Sequence, residues 1–121
     1  MTERLVVPHN VSEVEKLYAS GPMTGYPKYN YDAFEEATDQ LRGVGYDVFS
    51  PHEVKGGDDW SWADYMRADI PGGLGAQGIA VLEGWQESRG ATAEVNLGHM
   101  LGIYVLHKGL WLSQRLAESC D

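Results

Sequence analysis

The apolar run GIAVL, at residues 78–82, sharply limits the folds that this chain can adopt. The run is apolar throughout and does not alternate with polar residues. Such a continuous apolar run is typical of a strand that is covered on both faces in a parallel sheet. Similar short strands are predicted at residues 16–20, 46–51 and 102–107. Because parallel strands need long crossover connections, helices are expected between them, and the pattern indicates an α/β protein.

Helical segments alternate with these strands. In YDAFEEATDQLRGVG, Phe34, Ala37 and Leu41 fall on one face, and Asn30 or Asp32 can cap the first turn. Further helices are predicted at residues 61–70, 90–101 and 110–120. The alternation predicts a Rossmann-like, open and mostly parallel sheet of four to five strands, in the order 2-1-3-4, with helices on both faces.

The length and charge of the chain restrict its organisation and its partners. With 121 residues, it is predicted to form a single domain, residues 1–121. Residues 1–15 are predicted to be an N-terminal arm, and RLVVPH within them fits an added edge strand equally well. The net charge of −9 argues against binding a nucleic acid polymer, because phosphate binding needs clustered Lys and Arg. A small ligand with one phosphate stays compatible with this charge.

Several classes of site are not expected. Cys120 is the only cysteine, which excludes an intrachain disulfide and a cysteine metal site. The four histidines lack metal-ligand spacing. The first residues lack the apolar core of a signal peptide, and no segment approaches a membrane span. We therefore expect a soluble, cytoplasmic protein with no metal, no other cofactor and no membrane partner.

The strand order predicts where a ligand should bind. In a 2-1-3-4 sheet, ligands lie beyond the carboxyl ends of strands 1 and 3, where the connections diverge. The loops at that place are GPMTG (21–25) and GWQESRG (84–90). Both lead towards helix N-termini, where free N–H groups and the helix dipole favour an anion. Tight turns are a sufficient explanation for the glycines of either loop alone. The prediction of a ligand site therefore depends on both loops lying at the same edge of the sheet.

Glu94 is the carboxylate beside this predicted crevice. It is predicted to lie in or next to the first turn of its helix, where the helix dipole would stabilise it even without a catalytic role. Gly90 and Ala91 leave room for a substrate, and a carboxylate there suits attack on the anomeric carbon of a sugar. Asp69, at the C-terminal end of its helix, is a candidate proton donor or an ordinary solvated acid. The Tyr18 hydroxyl either reaches the crevice or is buried in the core.

The segments YASGPMTG, WADYMRADI and GWQESRGATAEVNLG resemble the nucleoside 2-deoxyribosyltransferase superfamily. The likeness is greatest to its small members, which are often phage-encoded, and it covers roughly residues 17–105. It implies a Rossmann-like fold and cleavage of the N-glycosidic bond of a 2′-deoxynucleoside or its 5′-monophosphate. It also implies that Glu94 is the nucleophile, that Asp69 is the acid near the base, and that Tyr18 orients the nucleophile.

Ser88 bears on the substrate that the resemblance implies. Transferases of free nucleosides tend to carry an aspartate six positions before the nucleophile, whereas the nucleotide N-hydrolase branch has a serine that contacts the 5′-phosphate. Serine can donate a hydrogen bond to that anion, which an aspartate would repel. The expected activity is therefore an N-hydrolase of a 2′-deoxynucleoside 5′-monophosphate with a glycosyl-enzyme intermediate. The alternatives are a base-exchanging deoxyribosyltransferase, a non-catalytic binder of a nucleotide or nucleotide signal, and an interaction module without a nucleotide ligand.

The two loops and the following helix start supply the expected substrate-binding residues: Ser20, Gly21, Pro22, Met23, Gly25, Trp85, Ser88, Gly90 and Ala91. Trp85 is compatible with stacking on a base or with packing in the core. The chain departs from the family pattern in its N-terminal arm and at Gln77, where many relatives have an acidic residue. By analogy with the superfamily, we expect a homodimer or larger oligomer in the cytoplasm, including that of a phage-infected bacterial host.

Overall fold

A computed structural model describes residues 10–54, 59–61, 63–64, 66–67 and 75–119. A four-stranded sheet lies at its centre, in the order β2-β1-β3-β4, and every neighbouring pair of strands is parallel. The strands are β1 (Lys16–Ser20), β2 (Asp47–Phe49), β3 (Gly78–Val81) and β4 (Tyr104–His107). The predicted sheet and its strand order are confirmed. A fifth strand at residues 4–9 would lie outside the described residues.

The register of the sheet determines which side chains share a face. Tyr18 of β1 pairs with Phe49 on β2 and with Ile79 on β3. Because side chains alternate along a strand, Tyr18 and Ser20 lie on one face, and Leu17 lies on the other.

Helices cover both faces of the sheet, as predicted, and the three that are described over their full length are α1 (Tyr31–Gly43), α2 (Arg89–Met100) and α3 (Lys108–Ser119). Phe34 of α1 and Trp111 of α3 are buried with Leu17 on one face. Val95 of α2 is buried with Tyr18 on the opposite face. The Trp111 indole N–H donates to the carbonyl oxygen of Ile79 (2.9 Å), which satisfies this polar group inside the core.

The described part of the predicted N-terminal arm packs against the sheet. Val11–Glu13 forms a 3-10 helix, and Val14 is buried in the core. The side-chain oxygen of Gln77 accepts hydrogen bonds from the backbone N–H groups of Glu15 (2.7 Å) and Lys16 (3.2 Å). Gln77 therefore holds the chain at the entry to β1, which gives this departure from the family pattern a structural role.

Asn30 differs from its predicted role as a side-chain cap. It occupies the N-cap position of α1 with a left-handed φ of 62°, and its side chain makes no capping hydrogen bond. The amide instead donates to the carbonyl oxygen of Pro22 (2.9 Å), so it connects the start of α1 to the loop after β1. Asn30 is thus the N-cap residue, one of the two positions predicted, but its side chain does not act as the cap, because its backbone is left-handed rather than extended and its amide is directed at the loop.

Other elements also differ from prediction at their ends. β2 and β4 are shorter than the predicted strands, and α3 begins at Lys108, whereas the predicted helix began at residue 110. The backbone N–H of Gly109 donates to His107 Nδ1 (3.1 Å). This bond satisfies one of the free N–H groups of the first turn, so α3 can follow β4 without a loop.

Ser61 caps the helix predicted after β2. Its backbone N–H donates to the Asp64 carboxylate (2.9 Å), and the Asp64 N–H donates to Ser61 Oγ (3.2 Å), which makes a reciprocal capping box. The hydrogen bonds from Ser61 hold the pKa of Asp64 below its usual value. Residues 63–64 and 66–67 are helical, whereas Asp69 lies outside the described residues.

Candidate functional site

The loops after β1 and β3 approach each other closely where the two strands end. The backbone N–H of Leu82 donates to the carbonyl oxygen of Ser20 (2.9 Å), so the pairing continues past the last residue of β3. A Cβ atom at Gly21 would lie 2.8 Å from the Cβ of Leu82. Glycine is required at position 21 because any larger residue would push the two loops apart.

Tyr26 connects the two loops further out. A Cβ atom at Gly84 would lie 2.8 Å from the Tyr26 hydroxyl oxygen and 3.3 Å from Cγ of Pro22. Gly84 also has a φ of 83°, which residues with a side chain rarely adopt. Both the backbone conformation and the lack of space therefore demand glycine here, and the two predicted substrate loops lie against each other at the place where a crevice was predicted.

Glu94 lies beside this crevice and accepts hydrogen bonds from two residues of β1. Its Oε1 accepts from the hydroxyl of Ser20 (2.8 Å), and its Oε2 accepts from the hydroxyl of Tyr18. Ser20 and Tyr18 are both 0% exposed, whereas Glu94 is half-buried. The carboxylate is thus held by two buried donors that stabilise its negative charge, while part of the side chain remains accessible.

The Tyr18 side chain satisfies both of the alternatives that its sequence left open. Its ring is buried and stacks on Phe49, with the centroids 5.5 Å apart and an angle of 13° between the planes. Its hydroxyl nevertheless reaches Glu94. Core packing fixes the ring, and the fixed ring in turn positions the hydroxyl.

Ser88 is the N-cap residue of α2. Its Oγ accepts from the backbone N–H of Ala91 (3.2 Å), and its carbonyl oxygen accepts from the hydroxyl of Thr92 (2.8 Å). A serine hydroxyl that accepts through its oxygen still carries a hydrogen to donate. Ala91 is buried, and its N–H is engaged by this cap, while Gly90 is half-buried in the first turn.

Several predicted substrate-binding residues also have structural contacts. Trp85 is half-buried and packs against the cluster that contains Tyr18. Met23 packs against the core on the opposite face of the sheet. Pro22 is buried, and its carbonyl oxygen is the acceptor for Asn30. Gly25 adopts a φ of 85°, and this backbone conformation alone accounts for a glycine at this position, with no need of a ligand contact.

The sequence provided weaker signals for other residues around the crevice. Tyr26 and Asn30 both contact the loops, although neither was expected to. Their segment, YPKYNY, combines turn-forming residues with tyrosines, and this combination is the signal that could have identified it. Within the described ranges, no three His, Cys, Asp or Glu side chains are grouped as metal ligands, and no helix is long and apolar enough to span a membrane.

Comparisons with known proteins agree with the geometry of the fold. The family model described as "Domain of unknown function (DUF4406)" matches residues 15–107. A 2-deoxyribosyltransferase from the psychrotolerant bacterium Bacillus psychrosaccharolyticus has a similar structure, with a TM-score of 0.60 and 21% identity over 74% of this chain and 69% of that chain. A conserved protein from Enterococcus faecalis V583 is also similar, with a TM-score of 0.61 and 22% identity over 76% of this chain and 61% of that chain. None of the curated proteins matches the sequence.

Proposed function

Because the chain belongs to the DUF4406 family, within the deoxyribosyltransferase-like superfamily, we propose that it cleaves the N-glycosidic bond of a 2′-deoxynucleoside 5′-monophosphate. The observation that carries the proposal is the half-buried Glu94 carboxylate, which accepts hydrogen bonds from Tyr18 and Ser20 beside the crevice. A carboxylate held in one orientation is suited to attack a sugar carbon, because little reorganisation is needed.

The proposed reaction has two displacements at C1′ of the sugar. In the first, a Glu94 oxygen forms an ester bond to C1′, and the bond from C1′ to the base nitrogen breaks with its electron pair on the base. A proton donor, for which Asp69 is the candidate, protonates the leaving base. In the second, a water oxygen bonds to C1′ and releases the Glu94 carboxylate, while the proton of the water returns to the conjugate base of the donor. Two easier steps thereby replace one difficult one.

The preference for a monophosphate is supported by Ser88 at the start of α2. Its hydroxyl caps the helix as an acceptor and can donate its hydrogen to a phosphate oxygen. The N-terminal end of α2 also favours an anion through its dipole. Glu94 lies six positions after Ser88, in the helix that Ser88 caps, and the proposal takes the phosphate to lie at Ser88 and the sugar at Glu94.

The proposal is tested by incubating the protein with the four common 2′-deoxynucleoside 5′-monophosphates and measuring free base by chromatography. Glu94→Gln removes the nucleophile but keeps the side-chain shape, and we expect it to lower base release by about a thousandfold or more. Glu36→Gln is the matched control, because Glu36 is an exposed glutamate of α1, and its rate should equal that of the wild type. Unchanged base release by Glu94→Gln would disprove the mechanism.

The same assay separates the proposal from two of its alternatives, a deoxyribosyltransferase and a non-catalytic binder. A deoxyribosyltransferase would release little base from one substrate alone and would form a new nucleotide when a second free base is added. A non-catalytic binder would bind a nucleotide, release no base, and retain its affinity in Glu94→Gln. Steady release of base into water, without an added acceptor base, is expected if the protein is an N-hydrolase.

A further inference from the structure

The two oxygens of the Glu94 carboxylate are held by different donors at different depths in the sheet. Oε1 accepts from the hydroxyl of Ser20 (2.8 Å), and Oε2 accepts from the hydroxyl of Tyr18. Ser20 is the last residue of β1, whereas Tyr18 lies two residues, about 7 Å, further from that end of the strand. The carboxylate is therefore held asymmetrically, with Oε1 bound to the residue nearer the carboxyl edge of the sheet.

The position of Ser20 indicates which of the two oxygens faces a ligand. Ligands of an open parallel sheet bind beyond the carboxyl ends of its strands. The carbonyl oxygen of Ser20 accepts from the backbone N–H of Leu82 (2.9 Å), and the next residue, Gly21, belongs to the loop that meets Leu82. Tyr18 is instead fixed in the core by stacking on Phe49. Oε1 is thus held at the ligand edge, and Oε2 is held from the core.

The two donors also differ in strength. A phenolic O–H is more acidic than the O–H of an alkanol, and it forms the stronger hydrogen bond to a carboxylate. The oxygen that Tyr18 holds therefore keeps less charge for attack on carbon than the oxygen that Ser20 holds. Ser20 and Tyr18 are both 0% exposed, so competing water does not level this difference. Position and donor strength favour the same oxygen, Oε1, as the nucleophilic one.

From this asymmetry we propose that Oε1 is the attacking oxygen of Glu94, and that Ser20 is a positioning residue that shortens the lifetime of the glycosyl-enzyme. The assignment rests on the proposed function, because it needs a covalent step at Glu94. In the first displacement, Oε1 bonds to C1′, and the base leaves with the electron pair of its bond and takes the proton of the donor. In the second, a water oxygen bonds to C1′, and the bond from C1′ to Oε1 breaks with its electron pair on Oε1. The proton of the water returns to the conjugate base of the donor, and Oε1 again accepts from Ser20.

The hydrogen bond from Ser20 affects the two displacements in opposite directions. The alkyl oxygen of an ester is a much weaker acceptor than a carboxylate oxygen, so this bond is strong before the first step and after the second, and weak in the intermediate. Ser20 therefore stabilises Oε1 as the leaving group of the second step. The bond from Tyr18 changes less, because Oε2 becomes the carbonyl oxygen of the ester and remains an acceptor.

The test measures the two displacements separately. Protein in excess is mixed with one 2′-deoxynucleoside 5′-monophosphate, and the reaction is stopped at successive times. Free base reports the first displacement, and free 2-deoxyribose 5-phosphate reports the second. In Ser20→Ala we expect the rate constant of the second displacement, divided by that of the first, to fall about tenfold to a hundredfold. Mass spectrometry of the intact protein should find the delayed sugar phosphate bound to Ser20→Ala.

Three further variants complete the comparison. Tyr18→Phe should lower the same ratio less than Ser20→Ala does. Thr38→Val removes a buried hydroxyl from α1, the helix packed on the opposite face of the sheet, and should leave the ratio unchanged. Ser20→Cys keeps a weak donor in a similar volume, so its ratio should fall less than that of Ser20→Ala. It also provides the comparison where Ser20→Ala does not fold.

Each outcome supports or overturns a separate claim. Delayed release of the sugar phosphate in the Ser20 variants, with a smaller delay in Tyr18→Phe and none in Thr38→Val, supports the assignment. An equal or larger delay in Tyr18→Phe overturns Oε1 as the attacking oxygen. Equal slowing of both products by the Ser20 variants, or no slowing, overturns the role of Ser20 but keeps the cleavage reaction. Failure of the wild type to release base from any of the four common monophosphates overturns the cleavage reaction and this assignment with it.

Discussion

The buried hydroxyl of Tyr18 donates a hydrogen bond to the carboxylate of Glu94, and so connects β1 directly to α2. The two residues are 76 positions apart in the chain. They meet because the crossover after β3 returns α2 to the face of the sheet on which Tyr18 lies. The contact makes the orientation of the proposed nucleophile depend on the packing of the core.

Tyr18→Phe should therefore lower the rate of base release strongly, whereas the free energy of unfolding should change little. The variant keeps the ring that stacks on Phe49 but removes one of the two hydroxyl donors to Glu94. A hydrogen bond to a charged group is worth about 1.5–3 kcal/mol, so we expect kcat to fall roughly tenfold to a hundredfold.

Tyr46→Phe provides the matched control for this substitution. It removes a buried hydroxyl that donates to the carbonyl oxygen of Trp111 (2.9 Å), away from the crevice. The variant should lose about 1 kcal/mol of stability in urea unfolding and keep its kcat. If the two variants lose kcat equally, the hydroxyl of Tyr18 has no specific role at Glu94.

Gly78→Ala should destabilise the fold without any direct contact with the crevice. A Cβ atom at residue 78 would lie 2.7 Å from Cζ2 of Trp111 and 2.9 Å from Cδ2 of Leu17. Trp111 is fully buried and hydrogen-bonded to Ile79, so it cannot move away easily. We expect a loss of about 1–3 kcal/mol in the free energy of unfolding, measured by urea denaturation.

Gly43→Ala is the control for the glycine substitution. A Cβ atom at Gly43, the last residue of α1, meets no atom within 4 Å. The added methyl group should leave stability unchanged or raise it by up to about 1 kcal/mol, because alanine restricts the unfolded chain. Equal effects at both positions would show that Trp111 and Leu17 yield to the new methyl group.

The sequence predicted the sheet because its signals are local. GIAVL can be recognised as a buried strand from its own composition, and β3 is buried along its full length. The strand order then brings the two glycine loops to one edge of the sheet, where a site was expected. The position of Glu94 on the following helix was likewise predictable from that order.

The remaining features depend on contacts between distant residues. Lys28 and Tyr29 have no intrinsic preference for the left-handed backbone that they adopt, and the hydrogen bond from Asn30 to the Pro22 carbonyl oxygen is one of the contacts that hold this turn before α1. The bond from Ser20 to Glu94 requires a side-chain direction that no sequence pattern encodes. Tertiary contacts thus determine the rim of the site, whereas local patterns determine the sheet beneath it.

The ion pair between Arg42 and Glu53 should make stability depend on pH. The hydrogen bond from Arg42 (2.6 Å) holds the pKa of Glu53 below its ordinary value of 4.5. Since the folded pKa is lowered, the stabilisation is present above the unfolded value and is lost as pH falls through the folded value. The two side chains are 42% and 44% exposed, so solvent screening limits the contribution to less than about 1 kcal/mol.

Glu53→Gln tests this dependence by urea unfolding at several pH values. At pH 7 the wild type should be more stable than the variant, and the difference should shrink as the pH falls below about 4.5. Added salt should reduce the difference at pH 7 as well. Glu36→Gln controls for the loss of one negative charge. A difference that stays constant between pH 7 and pH 3 would contradict the assigned role of the ion pair.

Ser88→Asp separates the capping role of Ser88 from its proposed role towards phosphate. The Ser88 oxygen accepts from the N–H of Ala91, and an aspartate oxygen can accept in the same way, so the helix start should remain stable. The new negative charge would repel a phosphate at the same place. We expect KM for 2′-deoxynucleoside 5′-monophosphates to rise at least about tenfold, while the corresponding free nucleosides become equal or better substrates.

Ser88→Ala loses both the cap and the hydrogen-bond donor. It should lower the free energy of unfolding by about 1 kcal/mol and weaken the binding of the monophosphates only. If Ser88→Asp binds monophosphates as well as the wild type does, the phosphate must lie elsewhere in the crevice.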